Sequence, residues 1–164
     1  MVVDYESLFQ IRLANYDDIP AIMEMTREAF LKYSEISGVK QLDALNETYA
    51  DVKHDINTKL VLVALDDGQY VGSVRVEILP DNTAYLTRFG VRISNQNNGI
   101  GKSIMNLVDK IMIKKGVERI YLHTGSKVTD LIRFYYGRGF YIESTDDSRG
   151  YIRAKLVKNY CKSE

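Results

Sequence analysis

The sequence contains no tryptophan, one cysteine and only two prolines among its 164 residues. A single cysteine cannot form a disulfide framework within the chain, which favours a protein of a reducing compartment, and we expect a cytoplasmic location. Lysine plus arginine and aspartate plus glutamate both total 22, so the formal net charge is zero. Because there is no global basic field, we do not expect nucleic acid as a partner.

Long apolar runs are also absent from the sequence, since none approaches the roughly 20 residues that span a membrane. Residues 1–6 (MVVDYE) lack the basic region and apolar core of a signal peptide. We therefore expect no membrane partner. The length suits a single domain over residues 1–164, with its core at about residues 10–157 and a flexible tail at 158–164.

Hydrophobic periodicity predicts the element order β-α-α-β-β-β-α-β-α-β-β. The first helix begins at Asp17 or Asp18, with Pro20 in its first turn, and residues 33–40 are predicted to be irregular because of Gly38. A weaker helix follows at 43–57. Strands at 60–65, 70–78 and 84–91 form an antiparallel meander, and the next helix ends near Gly116.

The rest of the pattern predicts a strand at 118–124, a helix at 129–137, a strand at 140–144, a turn at 146–148 and a last strand at 151–157. Strands and helices mixed in this way predict an α/β domain of the mixed α+β kind.

Residues 88–103 read as an extended run, a polar glycine-bearing turn and the first turn of an amphipathic helix. An anchored helix N-terminus offers unpaired N–H groups and a partial positive charge. Gly99 and Gly101 lack side chains, so a bulky anion can approach those donors. The stretch predicts a phosphate or pyrophosphate site, although glycines that serve only the turn are the alternative.

Two nucleotide-binding patterns fit this turn poorly. Gly101-Lys102-Ser103 is like the end of a Walker A loop, but Gln96 stands where that loop needs its first glycine. A dinucleotide fingerprint that begins at Gly99 needs a small residue where Ile104 stands. A nucleotide-binding loop is therefore disfavoured.

The turn does not stand alone, because two segments together resemble the GNAT superfamily of N-acetyltransferases. Gln96-x-x-Gly99-x-Gly101, preceded by Val91, matches the acetyl-CoA-binding pattern Arg/Gln-x-x-Gly-x-Gly/Ala. Residues 134–140 (FYYGRGF) resemble the second motif, in which a Phe-Tyr pair precedes Gly-Phe. The resemblance implies a GNAT-like fold, with a central, mostly antiparallel mixed sheet of about seven strands flanked by about four helices.

The resemblance also implies acetyl-CoA as acyl-donor cosubstrate, with no metal. The loop amides would hold the pyrophosphate, and the strand before the loop would pair with the pantetheine arm in a slot opened by a bulge. The residues implied to contact the coenzyme are Phe89, Gly90, Val91, Gln96, Asn97, Asn98, Gly99, Ile100, Gly101, Lys102, Ser103 and Tyr135.

Catalysis by direct attack of an amine on the thioester needs an acid for the leaving thiolate and a base for the amine. The resemblance implies Tyr135 as the acid, and a phenol with a pKa of about 10 stays protonated at neutral pH. The base is open between Glu77, His123 and Asp146, since the glutamate of some family members is absent here. Val128 stands where the family often has a coenzyme-contacting asparagine.

The expected function is therefore acetyl transfer from acetyl-CoA to a primary amine in a ternary complex. A small-molecule or peptide amine is the expected acceptor, held between residues 33–45 and 145–150, and a homodimer is a family-level expectation. A non-catalytic acyl-CoA-binding sensor of the same fold is the alternative.

Overall fold

A computed structural model describes residues 9–96 and 98–160, and in that part of the chain seven strands form one sheet. The strands are β1 (Gln10–Leu13), β2 (Leu60–Asp66), β3 (Gln69–Ile78), β4 (Thr83–Val91), β5 (Arg119–Gly125), β6 (Tyr141–Asp146) and β7 (Arg153–Asn159). Their spatial order is β1-β2-β3-β4-β5-β7-β6, and every neighbouring pair except β4–β5 is antiparallel. The expected mixed α/β class is confirmed.

Four α-helices accompany the sheet in the same residues: α1 (Ile19–Ser37), α2 (Tyr49–Thr58), α3 (Ile100–Lys114) and α4 (Thr129–Gly137). One apolar cluster lies on one face of the sheet under α3 and α4, with Ile104, Val108 and Tyr135 among its members. A smaller cluster, with Ile19, Ile22 and Val52, lies on the opposite face under α1 and α2. The two helix pairs therefore cover opposite faces of the sheet.

The first two helices differ from their predicted bounds because of their caps. Gly38 ends α1 in the left-handed conformation, with φ of 77°, and donates to the Ser34 carbonyl at 2.9 Å. Residues 33–37 are therefore helical, and the predicted irregular segment was wrong there. Thr48 and Asp51 form a capping box that starts α2 at Tyr49, after a short 3-10 turn at Asp43–Asn46.

The predicted flexible tail was wrong for its first three residues. Lys158 and Asn159 belong to β7, and the Tyr160 hydroxyl donates to Asp109 at 2.6 Å. Asp109 lies on α3, so this bond and the Lys158 ion pair with the same carboxylate tie the end of β7 to that helix. Residues 161–164, with Cys161, lie outside the described residues, as do residues 1–6 and the coenzyme-loop residue Asn97.

Candidate active site

The parallel pairing of β4 with β5 is short and leaves an opening between the two strands. The register covers only Thr83–Tyr85 of β4 and Arg119–Tyr121 of β5. Farther along β4, Arg88 and Phe89 together oppose the single residue Val74 of β3, and Arg88 has a φ of +53°. Because such a bulge bends its strand, β4 turns away from β5. We call this wedge, between residues 86–91 and 122–125, the β4–β5 slot, and it confirms the expected bulge and splay.

The main chain of Val91 faces the β4–β5 slot. Hydrogen bonding alternates between the two edges of an antiparallel strand, and the Arg92 amide donates to the Val71 carbonyl at 2.8 Å. The preceding residue, Val91, therefore directs its N–H and C=O toward the other edge. Gln96 Nε2 donates to that carbonyl at 3.1 Å, so Gln96 fixes the end of β4 and leaves the Val91 amide facing the slot.

The N-terminus of α3 lies at the end of this loop. Gly99 caps the helix with φ of +82° and without a side-chain hydrogen bond, and among the described residues no atom from outside the adjoining chain lies within 4 Å of the position where its Cβ would stand. Ile100 is 1% exposed and anchors the first turn in the core. The first-turn amides are thus fixed beside open space, which suits an anionic group.

Gly101 lies close to two aromatic rings. A Cβ there would lie 3.2 Å from Phe89 Cζ and 3.4 Å from the Phe134 ring, so its missing side chain makes room for these two stacked rings. Lys102 and Ser103 lie in the first turn of α3. The Walker A interpretation stays disfavoured because Gln96 stands where that loop needs its first glycine.

Tyr135 of α4 packs against Phe89 of β4, one of the strands that border the slot. The centroid of the Tyr135 ring lies 5.5 Å from the ring centroids of Phe134 and Phe140 and 6.1 Å from that of Phe89. The residue is 4% exposed. Burial raises the pKa of its phenol, and the neighbouring Tyr33 adds to the rise. The group is therefore a protonated donor at neutral pH, and within residues 9–96 and 98–160 its hydroxyl has no hydrogen-bond partner.

Two further polar groups lie at the slot: Tyr33, which belongs to the predicted acceptor segment 33–45, and Thr124, which was not predicted as a site residue. The Tyr33 hydroxyl, on α1, accepts from the Gly125 amide at 2.6 Å. Thr124 is 4% exposed, and its Oγ1 has no hydrogen-bond partner in the described part of the chain. Thr124 pairs with Ala154 of the α3/α4 core, so it shares that face. A polar residue on the apolar stripe of β5 was the sequence signal for it.

The base candidates are dispersed. Glu77 pairs with Tyr85, whereas Val91 pairs with Gly72 at the other end of β3, so Glu77 lies far along the strand from the Val91 amide. Asp146 Oδ1 accepts from the hydroxyl and amide of Ser148, and the first of these bonds is the main cause of its lowered pKa. His123 lies near the narrow end of the slot.

The described residues hold no cluster of three or more histidine, cysteine, aspartate or glutamate side chains suited to a metal ion. In the same residues, no helix has the length and apolar character to cross a membrane.

The comparisons with known proteins agree with this geometry. The model of the acetyltransferase (GNAT) family matches residues 19–140. A spermidine N(1)-acetyltransferase of Thermoplasma acidophilum is 28% identical over 151 residues, which cover 85% of this chain and 92% of that protein.

Solved structures share the fold. The PaiA N-acetyltransferase of Thermoplasma acidophilum in complex with coenzyme A has a TM-score of 0.80 at 22% identity, covering 93% of this chain and 99% of the other. The ribosomal-protein-S18-alanine N-acetyltransferase of Escherichia coli has a TM-score of 0.76 at 13% identity, covering 95% and 96% of the two chains.

Fold and slot together define a transferase that works on a coenzyme A thioester. The chain belongs to the GNAT acetyltransferase family. It is an acyl-CoA-dependent acetyltransferase with acetyl-CoA as acyl donor, as the two sequence motifs implied.

Proposed function

We propose that this protein transfers the acetyl group of acetyl-CoA to a primary amine by direct attack in a ternary complex. Three groups support the proposal: the Val91 amide, which faces the slot, the first-turn amides of α3 that follow the same loop, and the phenol of Tyr135, whose ring packs beside Phe89 of β4. The amides suit an anion, and the phenol is the proposed proton donor.

The proposed coenzyme site consists mainly of backbone N–H groups that can donate hydrogen bonds. The amides around Gly99 and Ile100 suit the pyrophosphate, since they point from a fixed helix terminus. The slot edge of β4 suits the amide groups of the pantetheine arm, which would add to the sheet as an extra strand does. Phe89 and Phe134 form a stacked aromatic pair against Gly101, beside that path.

Tyr135 is the proposed general acid. The C–S bond of the thioester breaks as the amine adds, and the phenol proton moves to the departing sulfur. Burial holds this phenol in its protonated form across the neutral range, so it is ready to donate. The Val91 amide is the proposed donor to the carbonyl oxygen, on which negative charge develops during the attack.

The acceptor is proposed to approach from the face that carries α1 and α2. There Tyr33 of α1 lies near Tyr151 of the β6–β7 connection, since burial and then Tyr33 raise the pKa of the Tyr151 phenol, and the Tyr33 hydroxyl accepts from the Gly125 amide of β5. Spermidine is the first acceptor to test, because a curated relative is a spermidine acetyltransferase. A short peptide with an N-terminal alanine and the ε-amine of Nα-acetyl-lysine amide complete the panel.

The experiment is steady-state acetyl transfer to this panel by the wild type and by Tyr135→Phe. We expect the variant to lose about 10²-fold in kcat, since general acid catalysis contributes 10² to 10⁴, with acetyl-CoA affinity retained. Tyr136→Phe is the matched control, because Tyr136 is 49% exposed on the same helix. Tight coenzyme binding without transfer to any amine would instead support the sensor alternative.

A further inference from the structure

Tyr85 and His123 link β4 to β5 at the narrow end of the β4–β5 slot. Tyr85 is the last residue of β4 that pairs with β5, and His123 follows the last paired residue of β5 by two positions. The Tyr85 hydroxyl lies 3.1 Å from Nδ1 of His123. Their contact therefore spans the two strands just where they begin to diverge.

Both side chains point away from the proposed coenzyme side. Side chains alternate along a strand, and the neighbours Leu86 and Leu122 are buried in the core under α3 and α4. Tyr85 and His123 consequently lie on the α1/α2 side of the sheet. An amine that approaches the slot from that side arrives at the imidazole, while Tyr135 acts from the other side.

The surroundings of His123 keep its imidazole neutral. The titratable and charged groups that face it, from β4, β5, β7, β6 and the β6–β7 connection, are Tyr85, Tyr121, Lys155, Arg153, Asp146 and Arg149. Lys155 is its direct partner across β5–β7. Burial and then the positive charge of Arg153 lower the pKa of His123, although Asp146 opposes the effect.

One ring nitrogen of His123, Nε2, is available to accept a proton. Nδ1 contacts Tyr85, and within the described ranges no residue hydrogen bonds to Nε2. If Nδ1 carries the proton and donates it to the Tyr85 oxygen, Nε2 holds a lone pair.

We propose that His123 is the general base that takes the proton of the acceptor amine, and that Tyr85 is its positioning residue. This inference rests on the proposed function.

As the amine nitrogen bonds to the carbonyl carbon, Nε2 of His123 accepts one N–H proton, directly or through one water. The electron pair of the breaking C–S bond goes to sulfur, which takes the Tyr135 proton. Exchange with solvent removes the proton from His123 and returns one to Tyr135, so amine and thioester give amide and thiol.

The test compares the pH dependence of kcat in the wild type with that in three variants. His123→Asn keeps an amide near the Nδ1 position but cannot act as a base. We expect its kcat to fall about 10²-fold while the acetyl-CoA dissociation constant changes less than about twofold. Wild-type kcat should fall at acidic pH as His123 becomes protonated, and this acidic limb should vanish in His123→Asn.

Tyr85→Phe and Tyr121→Phe separate positioning from packing. The two rings stack at 4.7 Å, but the hydroxyl 3.1 Å from His123 belongs to Tyr85. Tyr85→Phe should lower kcat about threefold to tenfold, because the imidazole is no longer held in place. The acidic limb should move to lower pH, because the protonated imidazole loses a hydrogen-bond acceptor and the pKa of His123 falls. Tyr121→Phe should leave both unchanged.

The outcomes distinguish this inference from the proposed function. A wild type that acetylates none of spermidine, the alanine peptide and the lysine amide refutes the function itself. A wild type that is active, with His123→Asn keeping its kcat and acidic limb, overturns the inference alone. If His123→Asn does not fold, an unshifted acidic limb in Tyr85→Phe overturns it.

Discussion

Arg75 holds Glu47 through two hydrogen bonds, of 2.6 and 2.7 Å, inside the protein rather than on its surface. The Arg75 side chain is fully buried, and it also donates to Asp55 at 2.9 Å. Glu47 accepts in addition from Arg88 at 3.3 Å. The pair therefore joins the α1–α2 connection and α2 to β3 and to the bulge of β4 that opens the slot.

The first prediction is that Arg75→Met destabilises the protein by about 3–5 kcal/mol, because it removes the buried cation that the largely buried carboxylates of Glu47 and Asp55 share. Urea unfolding monitored by circular dichroism measures the change. Arg133→Met is the control, since Arg133 is exposed on α4, and it should lie within about 0.5 kcal/mol of the wild type. Equal midpoints for the two variants would show that the buried pair adds no stability.

The second prediction concerns the close approach of α1 to β4. A Cβ on Gly90 would lie 2.9 Å from the Cβ of Ala29. Gly90→Ala should therefore destabilise the protein by about 1–3 kcal/mol, because α1 must move off the strand. Ala29→Gly, which costs about 1 kcal/mol alone within a helix, should relieve that clash in the double variant. Strictly additive unfolding free energies in this cycle would contradict the clash.

The third prediction is a pH dependence of stability that depends on Asp18. Hydrogen bonds from Arg12 lower the Asp18 pKa from 3.8 to about 2. Because the folded-state pKa is depressed, the stabilisation is present above about pH 4 and is lost as the pH falls toward 2.

Asp18→Asn lacks this titration, so the difference in unfolding free energy between wild type and variant should shrink by about 1.5 kcal/mol from pH 5 to pH 2.5. Urea titrations at the two pH values measure it. A difference that does not change with pH would mean that Asp18 titrates alike in the folded and unfolded protein.

The fourth prediction is that Thr124→Val weakens acetyl-CoA binding about twofold to tenfold, the loss expected for one neutral hydrogen bond. The buried Oγ1 of Thr124 has no partner among the described residues, so the free protein should lose no stability. Thr124→Ser, which keeps the hydroxyl, should bind like the wild type. Calorimetric titration with acetyl-CoA measures the affinities. If Thr124 is purely structural, Thr124→Val should bind acetyl-CoA with the affinity of the wild type.

Much of the slot could be predicted from the sequence because its signals are local. The β2–β3–β4 meander has short turns, and α3 has a continuous apolar stripe directly behind Gly99. Tyr135 was predicted as the general acid from the resemblance of residues 134–140 to a family motif. Its burial among aromatic rings is consistent with that role but does not test it.

The parts that could not be predicted depend on contacts between distant segments. The contact of Tyr85 with His123 depends on the parallel pairing of β4 with β5, and α3 separates these two strands in the sequence. Arg75 stands at an alternate position of β3 that reads as solvent-facing, and it is buried because α1 and α2 cover that face. The aromatic rings beside Gly101 come from β4 and α4, so this contact could not be predicted from the glycine turn itself.

The central claim, an acetyl-CoA site on the β4–β5 slot, is tested most directly by thermal unfolding with and without saturating acetyl-CoA, compared with ATP and magnesium. Ligand at 100 times its dissociation constant adds about 2.7 kcal/mol. For a domain of this size, the midpoint should rise by roughly 5–10 °C with acetyl-CoA and stay unchanged with ATP. No shift with acetyl-CoA, or a shift with ATP alone, would contradict the account of the glycine turn and of the slot.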